Sequence, residues 1–181
     1  MSIINTINDW AERRVERRDE RWAAREESLS SQLPAWRTDS RVRLLIRIYL
    51  GSLAAGLLTA IAQIFWTPFL FAWVPFTVIV CTSWTMLRTV INTRDVAPDA
   101  ELDEYEAKII RTWQVAGYGW MTMIILAVSL FMVLVAVFNP DNLGRWVYTG
   151  GLFSILGMMT ATALPTVAYA TTFGPVPPSN N

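Results

Sequence analysis

Six acids and four bases crowd into residues 88–111, the one dense group of titratable side chains beyond the first 47 residues. Asp95, Asp99 and Asp103 recur every four residues, a spacing that would stack three carboxylates on one helical face for metal or general-acid work. Pro98 interrupts any helix joining them, and the stretch lacks the DxxD spacing of paired aspartates. The sequence contains no histidine, which excludes bis-histidine haem, His-ligated zinc or copper, and Ser-His or Cys-His catalysis. Cys81 is the single cysteine, so neither an internal disulfide nor a thiolate cage is possible. A formal net charge of zero gives no electrostatic case for nucleic acid. These residues predict no enzyme, no metal and no cofactor.

The elements around that group are apolar and long. Of 181 residues, 53% are hydrophobic and 17% charged, with mean hydropathy +0.33; soluble chains carry about 25% charge. Ile48–Leu87 is 40 residues without a formal charge, about 60 Å of helix, or two crossings of a hydrocarbon core about 30 Å thick. Thr67-Pro68 marks the break, because the residue before proline avoids helix. Thr112–Pro140 is again uncharged, Asn139-Pro140-Asp141-Asn142-Leu143-Gly144 is turn chemistry, and Trp146–Phe173 is a further uncharged run. The expected fold is all-α: an integral membrane protein with four transmembrane helices and a charged amphipathic N-terminal cytoplasmic helix. Its parts are a head over 1–40, a transmembrane domain over 41–173 with spans at about 44–66, 70–90, 113–137 and 146–170, a connector over 91–112, and a Pro-rich tail over 174–181.

Orientation follows from lysine and arginine. With four spans, the head, connector and tail share a side that holds 10 + 4 = 14 basic residues, against Arg145 alone on the other. The positive-inside rule makes the first side cytoplasmic, so both termini are expected there, with no secretory signal ahead of the head. Arg47 and Arg88, near the cytoplasmic span ends, are expected to anchor at the interface by snorkelling; Trp66, Trp73, Trp113 and Trp146 fit the aromatic belts. No Asp, Glu or Lys falls within a span, which argues against proton-coupled transport. Gln63, Thr59, Ser83, Thr85, Gln114 and Ser129 are expected to hydrogen-bond in packing. Gly51, Ser52, Ala55, Gly56, Gly117, Gly119, Gly150, Gly151, Gly157 and Ala161 offer close-approach positions. Pro165 should free a carbonyl within the fourth span.

Residues 3–30 contain no Gly or Pro and sort into three sectors at 100° per residue. Ile4, Ile7, Ala11, Val15, Trp22 and Leu29 form an apolar seam. Arg13, Arg14, Arg17, Arg21 and Arg25 flank it on one side, and Glu12, Glu16, Asp19, Glu26 and Glu27 on the other. Val15, Trp22 and Leu29 recur every seven residues, so this helix is expected to dock, with Val15, Trp22, Leu29, Arg14, Arg18 and Arg21 meeting a partner. Arg18, within the seam, favours a protein groove over lipid insertion. The connector is expected to open a short helix near Asp99 whose acids suit the helix dipole, with Leu102, Tyr105, Ile109 and Trp113 leading into span three. An Arg-rich partner for those acids, such as the chain's own head, is the competing role.

Three function classes compete: an accessory subunit of a larger membrane complex, a small oligomeric transporter or channel, and a membrane enzyme of lipid metabolism. The absence of catalytic groups and of a polar stripe along the spans favours the first. The Arg/Glu/Trp head, the His-free spans and the ending Ala163-Leu-Pro-Thr-Val-Ala-Tyr-Ala-Thr-Thr-Phe-Gly-Pro-Val-Pro-Pro178 resemble small membrane proteins of actinobacteria. Among these the chain is similar to accessory subunits of the cytochrome bcc–aa3 respiratory supercomplex, in general layout across its whole length. The resemblance implies a cofactor-free subunit of the bacterial plasma membrane, beside haem-bearing chains and phospholipids, that supports assembly or stability. It carries over no functional residues.

Overall fold

The computed structural model describes residue 22, residues 28–29, 31–66, 71–98 and 101–177. Four long helices account for most of these: α1 (Asp39–Phe65), α2 (Trp73–Val90), α3 (Glu104–Phe138) and α4 (Leu143–Phe173). Single 3-10 turns at Pro34–Trp36 and Arg94–Val96 precede α1 and follow α2, and no strand occurs among the described residues.

α1 is 27 residues long, about 40 Å at 1.5 Å per residue. Its buried residues, Val42, Leu45, Ile46, Tyr49, Ser52, Leu53, Gly56, Ala60 and Gln63, fall at spacings of mostly three and four, so a single stripe faces the bundle. The helix begins five residues before the expected span and takes Arg41, Arg43 and Arg47 into its first turns. It ends at Phe65, close to the expected break; residues 67–70 lie outside the described residues. α3 does not start as a separate short helix. Asp103 caps it, accepting from the Glu106 amide at 2.7 Å while the Glu106 carboxylate accepts from the Asp103 amide, and this reciprocal capping box starts one helix of 35 residues. Asp103, Glu104 and Glu106 therefore stand at the helix end, Asp99 lies outside the described residues, and the expected span three is the continuation of the same helix. α4 runs through Pro165 without a break.

Two core clusters stack along the bundle. At the charged end, Val42, Leu45 and Ile46 of α1 meet Leu87, Val90 and Ile91, Ile110 of α3, and Tyr169 and Ala170 of α4. Towards the other end Tyr49, Leu53 and Ala60 meet Val80, Leu152, Leu156 and Ala163. The order of these contacts makes the four helices alternate in direction. α1 packs on α2 and α4, and α3 packs on α4.

The α3–α4 contact shows why small residues stand where they do. Pro165 has no N–H to offer the carbonyl four residues earlier, that of Ala161. Gly117 backs directly onto that carbonyl: a Cβ there would lie 3.0 Å from the Ala161 oxygen. Gly157 receives Ile124, and Gly150 receives Met132. Gly51, Gly119 and Gly151 face open space instead.

Among the described residues three helices, α1, α3 and α4, are long and apolar enough to cross a membrane, which makes the chain a multi-pass membrane protein. Three of the four expected spans therefore meet that measure of length and hydropathy, and α2 does not. α2 has 18 residues, about 27 Å, and Pro75, Thr77, Thr82, Ser83, Thr85, Arg88 and Thr89 interrupt its apolar sequence.

Candidate functional site

Polar side chains gather at the charged end, where the last turn of α2, the first turns of α3 and the last turns of α4 converge. The last carbonyls of a helix lack partners within it, and Arg37 supplies them for α2. Its guanidinium donates to the Thr89 and Val90 carbonyls, both at 3.3 Å, and to Asn92 Oδ1 at 2.7 Å. It also donates to the Leu29 carbonyl at 2.7 Å, the Gln32 carbonyl at 3.3 Å and the Val176 carbonyl at 2.8 Å. One planar fork thus ties the head, the end of α2 and the chain beyond α4, in the position where a cation also complements the helix dipole. Arg37 is 8% exposed. Burial pulls its pKa below the ordinary guanidinium value, and the ring of oxygen acceptors holds the charged form. Asn92 and Thr93, both at φ 52°, reverse the chain here. That backbone is ordinary for asparagine and uncommon for a β-branched residue; the Thr93 amide donates to the Arg88 carbonyl at 2.8 Å.

Asp95 is the second hub, 4% exposed. Its carboxylate lies 3.1 Å from Arg88 Nε and accepts from the Thr166 hydroxyl at 2.7 Å, joining the residues after α2 to α4. Arg88 also stands 5.1 Å over the Trp84 ring. Glu106 is the third: it accepts from the Tyr169 hydroxyl at 2.6 Å and lies 3.9 Å from Arg94. Arg94 donates to the Glu101 carbonyl at 2.7 Å and stands 5.9 Å from the Trp22 ring. These links give charged groups partners next to an apolar bundle, where a lone charge would be costly. Their chemistry is that of a clamp. Among the described residues no three His, Cys, Asp or Glu side chains are grouped to hold a metal.

At the opposite end a smaller polar set joins α1 to α4. Gln63 donates to Thr149 Oγ1 and, at 3.3 Å, to the Arg145 carbonyl; Arg145 donates to the Ile64 carbonyl at 3.5 Å. The Trp73 indole donates to the Tyr148 hydroxyl. Of the residues expected to bond across helices, Gln63 does. Thr59, Ser83 and Thr85 instead donate to carbonyls of their own helices, and Gln114 and Ser129 are exposed.

Between these two polar ends lies an apolar groove of about 580 Å³. Leu50, Ala54 and Leu57 of α1 wall it on one side, Ile124, Ala127, Val128 and Phe131 of α3 on the other, and Phe153, Leu156, Gly157 and Thr160 of α4 form its floor.

The expected partner-binding residues divide. Arg14, Val15, Arg18 and Arg21 lie outside the described residues. Trp22 is buried beside the chain's own Arg94, and the half-buried Leu29 offers its carbonyl to Arg37. Among the expected interface residues, Arg47, Trp66 and Trp113 are exposed, while Trp73 and Trp146 are half-buried, Trp146 against Phe131. Arg88 pairs with Asp95. Sequence reasoning missed Arg37, Thr166 and Tyr169 as members of the clamp. The available signal was local: Arg88 ends the 40-residue uncharged run, and Asp95 is the next acid, seven residues on across an Asn-Thr turn. No family model, no curated protein and no solved structure matches the chain.

Proposed function

We propose that the protein is a non-catalytic accessory subunit of a larger membrane complex in the bacterial plasma membrane. The partner is a respiratory assembly of the cytochrome bcc–aa3 type, with its haem on other chains, and this subunit supports assembly or stability. α2 is the fourth span in this reading, and both termini are cytoplasmic, on the side that carries Arg37, Arg41, Arg43, Arg47, Arg88, Arg94, Lys108 and Arg111.

The observation that carries the reading is α3. Only 6% of its most apolar stretch is buried, against 33% for α1 and for α4. It packs chiefly on α4, and its opposite face presents Val115, Leu126, Leu130, Val133 and Val137, all more than half exposed. Gly119 lies on that face with nothing beside it, so a second helix can approach closely. The polar groups, by contrast, are engaged in holding the chain to itself, and the groove beside α3 is apolar save for Thr160. That combination suits a body that mates through helix faces better than one that passes a polar substrate.

The test is affinity purification of the tagged protein from its native membranes in mild detergent, with an absorption spectrum and identification of every stoichiometric chain. Haem-bearing subunits at fixed ratio are the expected result. A colourless homo-oligomer would overturn the reading and favour a small oligomeric transporter.

A further inference from the structure

The groove and the arginines above it belong to one face of α1. At 100° per residue, Arg43 and Arg47 project within about 70° of the mean direction of Leu50, Leu53, Ala54 and Leu57. They stand about 10 Å and 5 Å along the axis from Leu50. Both are exposed, and neither hydrogen-bonds nor ion-pairs among the described residues, whereas Arg37, Arg41, Arg88 and Arg94 are all held by the chain. Across the groove, the α3 face that carries Ile124, Ala127 and Phe131 continues upward through Trp120 and Trp113, both exposed. Tyr49 meets α4 at Met159 and Gly117 meets it at Ala161, so Trp113 stands near the level of Arg43 and Trp120 near that of Leu50, bracketing the two arginines in depth. Among the described residues, Asp39 lies a turn beyond Arg43 and lines a pocket with it, its Oδ1 turned towards Gly174 at the end of α4.

We propose that this face binds one anionic phospholipid, its phosphate against Arg43 and Arg47 and an acyl chain in the groove between α1 and α3. Two observations select that occupant. The groove is apolar save for Thr160, so it takes a hydrocarbon chain. Arg43 and Arg47 stand exposed at the end where a headgroup sits when a chain lies in the groove, with tryptophans opposite at the depth where indoles favour the interface. A free phosphate satisfies the arginines and leaves the groove empty; a zwitterionic lipid fills the groove without needing them. The site lies on a different face of α3 from Leu126 and Leu130, so it stands independently of the accessory role.

The full-length protein, delipidated in detergent, is titrated with phosphatidylglycerol or phosphatidylcholine of matched chains, and retained lipid is counted by native mass spectrometry. The proposal expects one phosphatidylglycerol bound in clear preference to phosphatidylcholine, and no saturable binding of glycerophosphoglycerol, which lacks acyl chains. Arg43→Gln with Arg47→Gln should weaken phosphatidylglycerol about 30-fold, about fivefold per basic side chain, and leave phosphatidylcholine unchanged. Ala127→Phe, or Ala54→Phe if the first fails to fold by circular dichroism, should fill the groove and weaken both lipids. Equal retention of the two lipids by the native chain would overturn the proposal. So would undiminished phosphatidylglycerol binding in either the arginine or the groove-filled variant, or headgroup binding without chains.

Discussion

Replacing Arg37 by leucine removes every hydrogen bond that its guanidinium makes to the head, to the end of α2 and to Val176 beyond α4. Charged hydrogen bonds contribute about 1.5–3 kcal/mol each, and a shared donor is not additive. A loss of about 3 kcal/mol is expected in thermal unfolding in detergent, together with faster proteolysis around Val176. Arg37→Lys should recover less than half of it, because one ammonium offers its three donors from a single point and does not span acceptors on three segments. Wild-type stability of the lysine variant would contradict the clamp. Little of this was legible in the sequence. Arg37 reads as one more basic residue of the head, and its role depends on helix-end carbonyls 52 and 53 residues away. Arg88 reads as a snorkelling anchor for a similar reason: the Asn92-Thr93 reversal that returns Asp95 to it involves two left-handed residues in succession, which residue type suggests for asparagine alone.

The helices themselves were largely legible, because uncharged runs of this length have few other fates. Their contact faces were not. In a lipid-facing bundle the hydrophobic pattern no longer marks the inside, since Leu or Ile can face either acyl chains or a neighbouring helix. α3 illustrates this, apolar all round yet buried only at Ile110, Gly117 and Val135. Its glycines give a direct check. Gly117→Ala sets a methyl 3.0 Å from a backbone carbonyl that cannot rotate away and should cost about 1–2 kcal/mol. Gly119→Ala meets nothing within 4 Å and should leave the monomer within about 0.5 kcal/mol of wild type. Thermal melts of the two variants, side by side in one detergent, measure the difference. Equal melting temperatures would mean that α3 is not seated on α4 at Ala161.

At the scale of the molecule, the bundle has a charged, clamped end and an opposite end whose one base is Arg145 and whose one acid is Asp141. This asymmetry fixes the orientation proposed for it, and α2 is the helix on which the even number of crossings depends. In a Cys81→Ser background, Phe71→Cys and Val96→Cys place thiols just beyond the two ends of α2, both at exposed positions. Intact right-side-out cells should label the first with a membrane-impermeant maleimide and spare the second. Labelling of both from one side would make α2 a re-entrant or surface helix and put the termini on opposite sides. The accessory role rests in turn on the outward face of α3, and a photoreactive benzoylphenylalanine at Leu126 or Leu130 tests it in native membranes. The account predicts a single, high-yield adduct to one larger haem-associated chain, abolished by a bulky Gly119→Trp on the same face. Adducts only to lipid, or only to a second copy of this chain, would contradict it.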